Sequence, residues 1–109
     1  MLYLTNELLN LLEELGFYVS SINDSSFAAH IDNKSNNTYY LICSRGYCQL
    51  SVLIGVNSYL LIDNYKVKTE KELLRLLIGN QKFSQDFKNI VHFLKAYLDK
   101  SDEMNQDLK

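Results

Sequence analysis

Residues Thr38–Ile54 read TYYLICSRGYCQLSVLI, two apolar runs joined through Ser44-Arg45-Gly46, and their pairing decides the fold. In the second run Cys48, Leu50, Val52 and Ile54 alternate with Tyr47, Gln49 and Ser51, the period of a strand with one buried face. The first run is apolar on both faces, as is YLLI at residues 59–62, the pattern of strands covered on both sides. If the helices gather on one side instead, the other face presents Tyr and Ile as a patch of the kind that marks a partner interface. The Arg-Gly turn makes the pair a hairpin, with two registers open. A two-residue loop of Arg45-Gly46 sets Ser44 opposite Tyr47 and Cys43 opposite Cys48, at a close, non-hydrogen-bonded site where the sulfurs can bond. A three-residue loop with Gly46 left-handed pairs Cys43 with Tyr47 and Cys48 with Ile42, so the cysteines point to opposite faces. Arg is a poor first residue for a type I′ turn, which needs positive φ there, so the three-residue loop is favoured. The cysteines are then expected to be reduced, structural thiols. A zinc site needs about four ligands, and only His30 and His92 are left to help. A thioredoxin-type pair wants two intervening residues and a helix N-terminus, and has neither.

Before this hairpin, the strand period begins at Phe17. FYVSSI and SFAAHID flank the turn-rich NDSS, a second hairpin with Phe27, Ala29 and Ile31 on its inner face, followed by the polar loop NKSNN. After it, GVNS leads into a fifth strand, YLLID. Helices are expected outside the strands. Thr5 can cap a first helix that buries Leu8, Leu11, Leu12 and Leu15 and closes at Gly16. Thr69 and Glu72 form a capping box for a second helix rich in leucine, ended by Gly79. Ser84 can cap a third, striped by Phe87, Ile90, Val91, Leu94, Tyr97 and Leu98. The expected fold is α+β: an N-terminal helix, a five-stranded antiparallel meander and two C-terminal helices. Residues 1–100 form one domain and 101–109 a polar tail expected to be disordered.

Composition narrows the function. The chain has 109 residues and a formal charge of −2, all of it carried by residues 99–109, so the body is neutral. That balance argues against a phosphate-tracking surface and against an acidic nucleic-acid mimic. No apolar run approaches the ~18 residues of a membrane span, and the apolar N-terminus carries acids without an early Lys or Arg. A cytoplasmic protein without a membrane partner is expected. The sequons at Asn23, Asn33 and Asn36 read as chance in a chain with 11 Asn and 10 Ser. The bias towards Asn, Lys, Ile and Tyr, with no Pro or Trp, matches an AT-rich coding sequence such as that of a low-GC bacterium, phage or plasmid.

Catalytic machinery is not legible. Four glycines, at 16, 46, 55 and 79, cannot build a phosphate loop, and no cofactor is implied. His30 and Asp32 share a strand face and can be read as an acid–base pair, although a solvated strand pattern explains them as well. His92 falls with Lys88 and Lys95 on the polar side of the last helix, and Glu13 and Glu14 close the first. The chain is expected not to be an enzyme. Tyr18, Tyr40, Tyr47 and Tyr59 can serve as stacking platforms for RNA or single strands, but the one basic cluster, Lys66, Lys68, Lys71 and Arg75, is offset by Glu70 and Glu72.

The succession LLNLLEELGF (8–17), strands ending near HID (30–32), and LLRLLIGNQKF (73–83) resembles the rhythm of secretion chaperones and related small α/β chaperone-like domains. It covers about the first 83 residues, without a diagnostic motif. Those families place two more strands before the last helix, where this chain has none. The resemblance implies a protein-binding role. The expected partner is therefore another protein or a second copy, held by Tyr47, Tyr40, Ile42, Tyr18 and Tyr59 as an apolar, tyrosine-rich sheet surface. Tyr40 and Ile42 face outward in the two-residue register, whereas in the three-residue register they turn inward and Tyr39 and Leu41 are exposed instead; Tyr47 faces outward in both.

Overall fold

The computed structural model describes residues 2–22 and 26–107. Helix α1 (Asn6–Glu14) is followed by β1 (Tyr18–Ile22), β2 (Ser26–Asp32), β3 (Asn37–Ser44), β4 (Tyr47–Ile54) and β5 (Asn57–Lys66). Three helices then follow: α2 (Glu70–Gly79), α3 (Gln81–Asp86) and α4 (Lys88–Asp107). The strands form one antiparallel sheet in chain order, β1-β2-β3-β4-β5. The expected α+β meander is present, with three C-terminal helices instead of two. The turn between β1 and β2, including Asn23, lies outside the described residues.

The extra helix end has a local cause. Asn80, not Ser84, caps the segment after α2, accepting from the Phe83 N–H at 3.0 Å. Ser84 instead donates to the Ile78 carbonyl at 2.5 Å. At Phe87 the backbone leaves the helical region (φ −128, ψ 54), and α4 starts afresh. This break turns Phe83 and Phe87 together onto Tyr39, with ring centroids 5.7 and 5.1 Å from the tyrosine ring.

Thr5 and Thr69 cap their helices as expected, although the Glu72 carboxylate reaches the Lys68 N–H (2.8 Å) and not that of Thr69, so the capping box is only half formed. Thr5 accepts from the Leu8 N–H, and Thr69 from the Glu72 N–H. Gly16 (φ 108) supplies the left-handed turn after α1, where a β-carbon would be strained. The start of α1 is also tied to the far end of the chain. Thr5 donates its N–H to Glu70 at 2.8 Å, and the Tyr97 hydroxyl donates to the same carboxylate at 2.7 Å. Burial and the Glu70 carboxylate raise the Tyr97 pKa, against an opposing bond to Thr5.

The central hairpin adopts the two-residue register: Ser44 pairs with Tyr47, Cys43 with Cys48, Leu41 with Leu50 and Tyr39 with Val52. The expectation of a three-residue loop is corrected. Arg45 does take positive φ (53), followed by Gly46 (φ 84), as a type I′ turn demands. The cost of left-handed Arg is outweighed because this register alone puts Leu50 and Val52 on the same side as Leu41 and Tyr39. The expectation of free thiols is corrected with it. Cys43 and Cys48, with Cα atoms 4.1 Å apart, form a disulfide beneath the turn.

Every strand residue of the core lies on one side of the sheet: Phe27, Ala29, Ile31, Tyr39, Leu41, Cys43, Cys48, Leu50 and Val52. Against them pack Leu8 and Leu12 of α1, Leu73, Leu74 and Leu77 of α2, Phe83, and Val91 and Leu94 of α4. Of the two arrangements open for the Thr38–Cys43 run, the described residues take the one with helices on a single side, which leaves Tyr40 and Ile42 exposed on the other. The helices occupy one side only.

Candidate interaction surface

The register fixes which side chains emerge from the uncovered side. Alternating with the core positions, these are Ala28, His30 and Asp32 of β2, Thr38, Tyr40, Ile42 and Ser44 of β3, and Tyr47, Gln49, Ser51 and Leu53 of β4. Tyr18 joins from β1 opposite His30, and Leu60 and Lys66 from β5 opposite Ser51 and Tyr47. Tyr40 and Ile42 at the middle of the sheet are 38 and 48% exposed, and Tyr47 at the hairpin end is 48% exposed, so apolar area on this side is open to water.

Tyr18, His30 and Tyr40 form a row across three strands. The Tyr18 and His30 rings stack with centroids 5.1 Å apart, and His30 and Tyr40 stand at 5.8 Å. Such cross-strand pairs prop one another upright, which fixes the shape of the surface before any partner arrives. Of the five expected binding residues, Tyr18, Tyr40, Ile42 and Tyr47 thus come together on one face. Tyr59 does not. It pairs with Val52, which puts it on the helix side, where it is half-exposed. Tyr65, opposite Cys48, is placed likewise.

Both edge strands are irregular. Ser20 is an extra residue in β1, its hydroxyl bonded to the Ala28 carbonyl at 3.2 Å. In β5, Leu61 is unpaired between Ile62 and Leu60, and Asp63 with left-handed Asn64 (φ 43) opposes the single residue Gln49. Bulges of this kind break the row of free backbone groups that another strand would need.

The residues considered for chemistry are dispersed. Asp32 accepts from the Thr38 hydroxyl at 2.7 Å and lines a groove of about 580 Å³ between the β2–β3 turn and the α3–α4 junction. His30 points instead into the aromatic row, so the acid–base pair is not held in one pocket. His92 is exposed on α4 against Phe93, and Glu13 and Glu14 are exposed at the end of α1. The basic cluster is divided: Lys66 ends β5 on the open face, whereas Lys71 and Arg75 belong to α2 on the other side. Among the described residues no group of three His, Cys, Asp or Glu side chains is arranged to hold a metal ion. No helix among them is long and apolar enough to cross a membrane.

One polar cluster was not singled out from sequence. The buried Tyr39 donates its hydroxyl to Asp86, which Lys82 approaches at 3.3 Å. Burial acts to raise the Asp86 pKa, but the bonds from Tyr39, Lys82 and Asn37 outweigh it and hold the carboxyl below its usual value. Burial and the same carboxylate push the Tyr39 hydroxyl well above its ordinary value. The cluster satisfies the one hydroxyl that the aromatic core would otherwise strand. Its role is structural.

Searches against protein-family models, curated proteins and solved structures return no match to this chain, and the resemblance to secretion chaperones gains no support from them.

Proposed function

We propose that this chain is a small, non-enzymatic protein-binding module, an adaptor, chaperone-like protein or inhibitor, that works in the cytoplasm through the open face of its sheet. Its size and AT-rich composition fit a protein encoded by a phage, mobile element or low-GC bacterium. The observation that carries the reading is the uncovered face itself. Tyr40 and Ile42 stand at its centre on the middle strand, and Tyr18, Tyr47, Leu53 and Leu60 extend the apolar area towards its margins. Contiguous exposed apolar area of this kind marks a surface for association.

The test is Tyr47→Ser on the binding of the partner recovered from the native host. Association should weaken by about 1–2 kcal/mol or more if Tyr47 is a central contact, with melting little changed. Loss of folding without a binding defect in the folded fraction would make Tyr47 a structural residue and remove the assignment.

A second reading rests on the Tyr18–His30–Tyr40 row, whose rings can stack on unpaired bases of RNA or single-stranded DNA. Salt separates the two. Affinity that falls steeply with ionic strength would favour nucleic acid, and affinity that barely responds would favour an apolar protein contact.

A further inference from the structure

We infer that the occupant of the open face is a second copy of the same face, stacked sheet on sheet across a two-fold axis; this rests on the reading of that face as a binding surface. Shape comes first. Five strands about 4.8 Å apart, followed for eight residues at about 3.3 Å each, make a face of roughly 20 by 25 Å, or about 500 Å². Specific interfaces bury at least about 1,000 Å² over both partners, so this face reaches that threshold only when covered whole. A single helix, about 10 Å across, covers only about half of it and stays short of that threshold. An added strand is refused by the bulged edges of β1 and β5. The fitting occupant is another flat sheet, packed about 10 Å away as in a β-sandwich.

Charge and symmetry then select this sheet. A face that binds itself meets its own charge, so it must be close to neutral. The acidic and basic side chains emerging here are few: Asp32, Asp63 and Lys66, with His30 in the aromatic row. They lie away from the middle. The middle belongs to β3, third of five strands, whose two central outward residues are Tyr40 and Ile42. A two-fold axis through the centre places these residues against their own copies, with the charges at the margin beside Tyr18, Tyr47, Leu53 and Leu60. The contact is at the small end of the specific range, so dimerisation is weak and concentration-dependent.

Sedimentation equilibrium of the purified full chain, from low micromolar to near-millimolar concentration, tests this. The expected result is reversible association to twice the chain mass. Tyr40→Glu and Ile42→Glu should each weaken it by about tenfold or more, with unchanged far-UV circular dichroism and melting in dilute protein. Tyr59→Glu, on the opposite side of the sheet, should leave it intact. A chain that stays monomeric throughout overturns the inference, as does a dimer lost with Tyr59→Glu and kept with the two central variants. If the monomeric chain still binds a purified host protein and Ile42→Glu abolishes that, the binding-surface reading survives alone. If Ile42→Glu affects neither, both fall.

Discussion

Leu41 and Ile42 are neighbours of similar size and hydrophobicity on the same strand, yet Leu41 is 2% exposed and Ile42 is 48% exposed. The difference between the two sides of this sheet is one of connection, not composition. Helices α2, α3 and α4 are joined by single residues, Asn80 and Phe87, which are too short to carry the chain around the edge of the sheet. Once α2 has docked, the other two must share its side. Helix α1 buries Leu8 and Leu12 on that same side, where Glu70 binds Thr5 and Tyr97 together. The hydrophobic effect filled one face, and among the described residues no helix covers the other.

Substitution on the two sides is the largest test of this contrast. Leu41→Ala should cost about 2–5 kcal/mol by removing buried methyls from a packed layer, whereas Ile42→Ala in dilute protein should stay within about 0.5–1 kcal/mol. Chemical denaturation of both variants measures the difference. Equal losses would mean that the second side is covered within the monomer.

The cysteines sharpen the same contrast, since both lie on the filled side. Thiol titration of unfolded, unreduced protein should find no free thiol. The bond closes a short loop, with a sequence separation of 5, so reduction should lower stability by about 2 kcal/mol. A cytoplasm would work against this bond by supplying reductant, and burial of both sulfurs works for it. Two free thiols in the purified protein would break the assignment.

Next in size is the pH response of the filled side. The Asp86 pKa is depressed in the folded chain, so its contribution is present above the ordinary value of 3.8 and is lost as pH falls through the lower folded value. The Tyr39 pKa is raised, so its contribution is present below the ordinary 10.0 and is lost as pH rises beyond it. Tyr39→Phe should remove about 1–3 kcal/mol near neutrality and flatten both limbs of the stability–pH curve. Unchanged limbs would show that the hydroxyl–carboxylate bond contributes nothing. The smallest effect is expected from deleting residues 101–109, within about 0.5 kcal/mol, because they add only Met104 and Leu108 as large apolar residues. A fall in melting temperature of many degrees would mean that this end of the chain docks on the body.

What the sequence determined by itself was local. The alternation Cys48, Leu50, Val52 made β4 half-buried, the inner set of β2 was readable as Phe27, Ala29 and Ile31, and Thr5, Gly16 and Thr69 marked helix ends through backbone groups they satisfy nearby. Thr38–Cys43 could not be read in the same way, because Tyr39, Leu41 and Cys43 and the alternate pair Tyr40 and Ile42 serve equally well as an inner face. Turn chemistry, taken alone, preferred the wrong register. The signal that decides it spans strands: the inner set of β2 pairs with Cys43, Leu41 and Tyr39, which in turn face Cys48, Leu50 and Val52. The break at Phe87 was hidden for the same reason, since it exists to bring Phe83 and Phe87 onto Tyr39, more than forty residues earlier in the chain. Which face stayed open was likewise settled only in three dimensions. An amphipathic stripe states that a helix must cover something apolar, but which side of the sheet that is follows only from the paired inner set of β2, β3 and β4 and from linkers too short to let α2, α3 and α4 part.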